Sequence, residues 1–270
     1  MKKMRFSRSW LAIPYVLFLA VFVVVPLFFV LYYACKDDVT GELTIRNFTT
    51  FFTSPVNLKV AARSLLISVL STTICLLIAY PVAYIIAKSK LKNKSALLLI
   101  FIVPMWVNFV LRINALKELL NWMGLINKSA AWDIFNTVLG MVYDFLPFMI
   151  LPVYTTILKI DKSYLEAARD LGASSPRAFL KVTLPLSKAG IASGISMVFL
   201  PSMTNYVVSN WMTNNKVTII GGFIDFAFLN DSWGRGSVTA IVLLSVMFLF
   251  TWLTGGFKND AAAARGSSIR

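Results

Sequence analysis

Six apolar runs, each about 20 residues long or more, constrain the fold of this chain more than any other feature. They cover residues 10–34, 64–87, 96–116, 137–158, 190–211 and 237–257. A run of this length lets an α-helix cross the hydrocarbon core of a bilayer with all its backbone hydrogen bonds satisfied internally. The sequence therefore predicts an all-α, polytopic membrane protein with six transmembrane helices, forming a single domain over residues 1–270.

The first apolar run follows four basic residues and could be read as a secretory signal. It is longer than a signal core, which spans roughly 7–15 residues, and no small-residue cleavage site follows it. We therefore expect an uncleaved anchor. Pro104 and Pro147 interrupt the third and fourth runs. A spanning helix tolerates such prolines where its neighbours satisfy the freed carbonyl groups.

The placement of Lys and Arg predicts the orientation of the chain. If the N-terminus is cytoplasmic, 17 of the 26 basic residues fall on the cytoplasmic side, whereas eight of the 12 acidic residues fall on the outer side. By the positive-inside rule, both termini and the loop 159–189 then lie in the cytoplasm. The net charge of +14 is thus explained by topology and contacts with membrane lipids, and no nucleic-acid partner is expected.

Several classes of protein are excluded by what the sequence lacks. It has no histidine, and its cysteines, Cys35 and Cys75, lie in or beside apolar runs, so neither a metal site nor a disulfide framework is expected. No glycine precedes a lysine, so the phosphate-binding loop of ATPases is absent and no cofactor is expected in this chain. A membrane-embedded enzyme is disfavoured because no two acids lie one helical turn apart in a span.

The loop 159–189 contains the polar stretch EAARDLGASSPRAFLKVTLPLS, residues 166–187. Asp161 or Ser163 would cap a short helix that ends at Gly172, and Ser175-Pro176 is typical of a second helix start that continues to Leu184-Pro185. On the first helix Tyr164, Ala168 and Leu171 share a face. This small apolar face either docks in a groove of a partner or lies on lipid headgroups.

The same stretch resembles the EAA loop of ABC-importer permeases. Glu166-Ala167-Ala168, Gly172 and Val182-x-Leu184-Pro185 match that pattern at every anchor except Val182, where the family has isoleucine. The segments 103–117, 140–154 and 165–174 are also similar to spermidine/putrescine permeases. The family often has a Gly-Gly pair soon after the fifth span, whereas Gly221-Gly222 come later in this chain.

The resemblance implies a type I ABC importer permease (MetI-like) fold in the inner membrane of a bacterial cell. It also implies a second homologous permease in a heterodimer, although composition alone equally permits a homodimer. Two cytoplasmic ATPase subunits that hold ATP-Mg and an extracytoplasmic polyamine-binding protein complete the implied complex. The chain itself would not be an enzyme. The residues that would couple it to the ATPase are Tyr164, Glu166, Ala167, Ala168, Leu171, Gly172 and Pro185.

A pathway for a polyamine needs carboxylates for its charges and aromatic faces for cation–π contacts. The candidates are Asp144 with Tyr143, then Trp106, and Asp225 among phenylalanines. Each has an alternative. Asp144 could sit at an outer helix end, solvated or paired with Arg112; Trp106 could pack between helices; and Asp225 could belong to an interfacial aromatic belt. Arg112 would pair with Glu118 or Asp144.

The alternatives at the level of function are a permease for another small solute, such as thiamine, iron or an amino acid, and a passive channel or scaffold. A channel would not need a docking loop of this kind.

Overall fold

The computed structural model of the chain describes residues 13–89 and 93–254, apart from the side chain of Ser95. The predicted span residues 10–12 and 255–257, residues 90–92 and the tail 261–270 lie outside the described residues. The described part is helical and contains no β-strand, only an isolated bridge between Lys36 and Leu43. Its helices are α1 (Ile13–Ala34), α2 (Arg46–Thr53), α3 (Pro55–Lys88), α4 (Lys94–Ile102), α5 (Phe109–Trp122), α6 (Ala130–Leu158), α7 (Lys162–Asp170), α8 (Ser175–Leu186), α9 (Lys188–Thr204), α10 (Tyr206–Thr213), α11 (Ile220–Leu229) and α12 (Trp233–Leu253).

Four of these helices, α1, α3, α6 and α12, are long and apolar enough to cross a membrane by themselves. Two further spans arise if each of two bent helix pairs counts as one. The first pair is α4 with its following turn and α5, bent by 92°, and the second is α8 and α9, bent by 63°. The described helices give the predicted six spans only if both bent pairs are counted as spans. Four of those six spans are single helices.

The sharp bend before α5 has a local cause. A 3₁₀ turn at Val103–Trp106 contains Pro104, and Val107 is then extended with ψ 140°. Asn108 restarts the helix as its N-cap, since its side chain accepts a 2.9 Å hydrogen bond from the backbone N–H of Val110. The predicted single span 96–116 is therefore two helices, because a cap follows the proline and starts a new direction.

The fifth predicted span, 190–211, is also divided. Helix α9 ends at Thr204, and α10 begins at Tyr206 after Asn205, whose side chain accepts a 3.4 Å hydrogen bond from the N–H of Val208. By contrast, α6 continues through Pro147 and Pro152 and begins at Ala130, seven residues before the predicted start at 137. Its N-cap is Ser129.

Two compact units make up the described chain, one from residues 13–58 with 223–245 and the other from 59–222 with 246–254. In the first, the side chain of Asn47 donates to the carbonyl oxygens of Ala34 and Lys36, at 3.2 and 2.7 Å. The N–H of Gly234 donates to Asp38 at 2.7 Å. The Asn47 bonds hold the loop after α1 on α2, and the Gly234 bond holds the same loop on the first turn of α12.

In the second unit, α9 packs closely along α6 through small residues. A Cβ on Gly190 would overlap the hydroxyl of Thr156 and lie 2.6 Å from the carbonyl oxygen of Pro152. At Gly194 it would lie 2.6 Å from the sulfur of Met149. Small residues of this kind let membrane helices approach at backbone distance. Helix α3 is joined to the start of α11 by a 2.7 Å hydrogen bond from the N–H of Ile220 to the hydroxyl of Ser64.

Candidate functional site: an exposed helical segment and a buried ion pair

Asp161 is the N-cap of α7. Of the two predicted caps, Asp161 and Ser163, the structure therefore has the first. The carboxylate of Asp161 accepts a 3.0 Å hydrogen bond from the backbone N–H of Ser163. This hydrogen bond, together with one to the side chain of Ser163, lowers the pKa of Asp161 from its usual value. The cap is therefore ionised and fully formed at neutral pH.

The end of α7 is a left-handed turn that requires glycine. Gly172 has φ +79°, and its N–H donates to the carbonyl of Arg169 at 2.8 Å. The next N–H, of Ala173, donates to the carbonyl of Ala168 at 3.0 Å. This pair of bonds is the Schellman arrangement, which satisfies the last carbonyls of a helix and reverses the chain. No atom lies within 4 Å of a Cβ built on Gly172, so the requirement is conformational and not steric.

Helix α7 exposes the face predicted to dock. Tyr164 is 57% exposed and Leu171 is 89% exposed, with Ala168 half-buried between them. Glu166 and Ala167 are exposed as well. A helix of nine residues is too short to be stable alone, and its caps hold it in place without covering this face. The segment thus presents an ordered surface with two large, uncovered apolar side chains.

Helix α8 anchors the segment to α3. It contains a π-turn at Phe179–Thr183, and the ring of Phe179 packs edge-on against Tyr80 and Tyr84 with centroids 5.7 and 5.1 Å apart. The hydroxyl of Tyr80 also lies 2.9 Å from that of Ser187, at the bend into α9. The helix runs to Leu186, one residue past the predicted stop at Leu184-Pro185, because a proline in the first turn of the short piece Leu184–Leu186 leaves the helical path intact. Pro185 itself is exposed.

A buried ion pair forms the second feature. The guanidinium of Arg112 on α5 donates to Asp144 on α6 at 2.7 Å, and the two side chains are 9% and 8% exposed. Asn205 donates to the second carboxylate oxygen at 3.4 Å. The Nε–H of Arg112 is buried without a partner. Among the described residues this is the one ion pair, and it joins α5 and α6 to the break between α9 and α10.

Asp144 lies at the middle of α6, fourteen residues from either end of a 29-residue helix, or about 21 Å from each at 1.5 Å per residue. The predicted alternative of a solvated outer helix end is therefore wrong, because the helix starts earlier than its apolar run. The alternative of pairing with Arg112 is confirmed, and Glu118 is not the partner. An ion pair buried at mid-span is costly and typical of a functional position.

The other pathway candidates are spread over the chain. Tyr143 is 42% exposed and its ring lies 5.8 Å from the guanidinium carbon of Arg112, so it adjoins the ion pair. Trp106 is 80% exposed in the turn before α5, so it does not pack between the helices of this chain. Asp225 lies on α11 in the first compact unit, whereas Asp144 belongs to the second. The structure thus brings Tyr143 and Asp144 together, but assigns Asp225 to another unit.

Sequence reasoning missed Asn205. An asparagine four residues after Pro201 is a signal for a helix end followed by a new cap, but its place inside an apolar run favours one continuous span. The late Gly221-Gly222 pair proves to belong to the same region. A Cβ on Gly221 would overlap the carbonyl of Thr204, and one on Gly222 would lie 3.1 Å from Cβ of Tyr206. Both glycines pack against the break between α9 and α10.

Comparisons with known proteins agree with this architecture. The chain is 36% identical over 243 residues to the spermidine/putrescine transport system permease protein PotB of Escherichia coli, which covers 83% of this chain and 88% of that protein. It is 38% identical over 224 residues to the protein of the same name from Haemophilus influenzae, with 78% of each covered. A PotB homolog of Mycoplasma genitalium is 27% identical over 265 residues, or 90% of this chain and 89% of that protein.

Solved structures show the same fold at low sequence identity. A chain of a bacterial alginate ABC transporter, in complex with an alginate pentasaccharide-bound periplasmic protein, superposes with a TM-score of 0.70 at 15% identity, covering 92% of this chain and 94% of that one. A chain of an amino acid ABC transporter with histidines has a TM-score of 0.56 at 14% identity, covering 81% of this chain and all of that one. The predicted all-α permease fold of ABC importers is confirmed. Since the family described as binding-protein-dependent transport system inner membrane components matches residues 3–259, the chain belongs to that family.

Proposed function

We propose that this chain is the permease subunit of an ATP-driven polyamine importer and forms half of its translocation pathway. The observation that carries the cargo assignment is the similarity to spermidine/putrescine permeases over 83% of the chain. A pathway carboxylate at mid-span suits a cargo of protonated amines. The chain would lie in the inner membrane with both termini in the cytoplasm, as the distribution of its basic residues indicates.

In this proposal α7 inserts into a groove of a cytoplasmic ATPase. Tyr164 and Leu171 supply the apolar contacts, Glu166 supplies a charged contact at the rim, and the small side chains of Ala167 and Ala168 allow close approach. Gly172 turns the chain back at the end of the contact. ATP-Mg would bind to the ATPase subunits alone, so this chain contributes coupling and not hydrolysis. A second, homologous permease in a heterodimer, two ATPases and a polyamine-binding protein would complete the importer.

The ion pair suggests how the cargo passes mid-span. A protonated amine that reaches Asp144 meets a carboxylate already held by Arg112 on one oxygen and by Asn205 on the other. Cargo contact therefore requires the pair to rearrange between the outward- and inward-facing states. Tyr143 would offer its aromatic face beside this point, while Trp106 and Asp225 remain predicted pathway residues.

Uptake of radiolabelled spermidine tests coupling and cargo together. Cells that lack the gene are complemented with wild type, Glu166→Ala or the control Glu118→Ala, which removes an exposed carboxylate from α5. We expect wild type and control to restore uptake, and Glu166→Ala to reduce it about tenfold, equivalent to the loss of ~1.4 kcal/mol of docking energy. Normal uptake by Glu166→Ala would refute the docking assignment.

If wild type restores no spermidine uptake, the polyamine assignment is refuted, and a panel of other cations is the next assay. The role of Asp144 has its own test in spermidine-stimulated ATPase activity of the purified complex. Asp144→Asn should lower the ratio of stimulated to basal activity in correctly folded complex. An unchanged ratio would leave Asp144 a structural residue.

A further inference from the structure

A cavity of about 520 Å³ opens where four helix ends meet in the second compact unit. Its walls come from the end of α3, the start of α4, the end of α6 and the start of α7. Lys88, Lys94 and Lys162 line it together. Lys162 is the first residue of α7, so the cavity adjoins the base of the exposed segment.

Among the described residues, none of the three lysines has an acidic partner. No carboxylate is among the residues that line the cavity, and the only ion pair within residues 13–89 and 93–254 is that of Arg112 and Asp144. The ammonium group of Lys94 donates to the carbonyl of Ala87 at 2.7 Å, which leaves two of its three N–H groups available. Three like charges around one cavity repel one another unless an anion lies between them.

The remaining walls indicate the shape of that anion. Ile157 and Ile160 contribute apolar surface, whereas the hydroxyl of Ser89 already donates to the carbonyl of Ile86 at 2.9 Å and is not free for an anion. A small inorganic ion would satisfy the ammonium groups but leave the apolar walls uncovered. An amphiphile with a phosphate at one end satisfies both, because its glycerol and acyl portion can lie against the isoleucines.

We propose that this cavity binds the phosphate headgroup of an anionic membrane lipid. The lipid site rests on the proposed orientation, in which the loop 159–189 lies on the cytoplasmic side, next to the anionic leaflet. It does not depend on which cargo the permease carries. A bound headgroup holds Lys162 and with it the first turn of α7. The anionic lipid content of the membrane then influences how firmly the coupling segment is positioned.

The test is titration of the purified full-length chain in detergent with phosphatidylglycerol, with bound lipid counted by native mass spectrometry. The variant Lys88→Gln/Lys94→Gln/Lys162→Gln is compared with Lys159→Gln, which removes one charge from the same loop but does not line the cavity. A lysine near an anionic lipid contributes about fivefold to binding, so each substitution should weaken binding by about that factor. The control should bind as wild type does, and phosphatidylcholine should bind weakly to all.

Two results would overturn the proposal. The first is that the triple variant binds phosphatidylglycerol as tightly as wild type does. If the triple variant does not fold, the same result for the single variant Lys88→Gln would overturn the proposal. The second is displacement of the lipid by inorganic phosphate with the same dependence on the three lysines, which would make the occupant a free phosphate. Because the readout is lipid binding in detergent, it stands apart from the transport experiments.

Discussion

The buried ion pair offers a double-mutant cycle in Arg112→Gln, Asp144→Asn and the combined variant. Asp144→Asn removes the charge that Arg112 contacts at 2.7 Å, and leaves a guanidinium whose Nε–H already lacks a partner. Arg112→Gln leaves a carboxylate with only the 3.4 Å bond from Asn205. In the combined variant neither charge is left uncompensated.

The expected magnitudes follow from burial. Both side chains are less than a tenth exposed, so removal of one partner should cost about 3–5 kcal/mol. The combined variant should cost less than either single variant, because it leaves no uncompensated charge, so the coupling energy should be at least about 3 kcal/mol. At roughly 2–4 °C per kcal/mol, each single variant should lower the melting temperature by about 10 °C.

Cys75 provides the assay. It is fully buried on α3, whereas Cys35 is only partly buried, so a Cys35→Ser background leaves one thiol that reacts after unfolding. Modification of Cys75 by a thiol-reactive dye during heating then gives the melting temperature of each variant in detergent. Glu118→Gln serves as the control, since it removes an exposed carboxylate from the helix of Arg112 and should shift the temperature little.

Two single effects that add up to the combined effect would show that Arg112 and Asp144 do not interact. A melting temperature of Asp144→Asn within a degree or so of the background would contradict the burial of the pair, since a buried charge cannot lose its partner at so small a cost.

Three further changes test the backbone and packing. Gly172→Val should strain the left-handed end of α7 by about 1–2 kcal/mol and reduce spermidine uptake, whereas Gly172→Asn should retain most of it; equal uptake would contradict the conformational argument. Gly190→Ala should lower the Cys75 melting temperature more than Gly194→Ala, because its Cβ meets a backbone carbonyl and not a flexible thioether; the reverse order would refute this packing. Ser64→Ala should cost about 1–3 kcal/mol in the same assay by leaving the buried N–H of Ile220 unpaired, and an unchanged melting temperature would exclude that bond.

The local features of the exposed segment could be predicted because each depends on a few neighbouring residues. Asp161 as cap and Gly172 as the left-handed residue depend only on residues within one or two helical turns. The second helix start is predicted one residue late, because its N-cap is Ser174 and Ser175 is already its first helical residue. The face of Tyr164 and Leu171 follows from helical spacing alone.

The buried polar cluster could be predicted only in part because its members are distant in sequence. Arg112 and Asp144 are 32 residues apart, and Asp144 and Asn205 are 61 apart. The sequence does not show which residues of separate spans lie side by side. Glu118 and Asp144 are therefore equally plausible partners for Arg112 from the sequence alone. Likewise, the composition of an apolar run does not reveal a 92° bend, because the residues on both sides of the bend are equally suited to a lipid environment.

The π-turn in α8 determines how the helix that follows it is rotated about its own axis. A π-turn holds one residue more than an α-helical turn, so Phe179–Thr183 turns the chain that follows it by about 100° relative to an uninterrupted helix. That offset lets Phe179 face Tyr80 and Tyr84 while Tyr80 still meets Ser187 two turns later. Deletion of one residue here would restore an ordinary helix and rotate α9 away from its glycine contacts with α6, so the length of this short segment is as constrained as its composition.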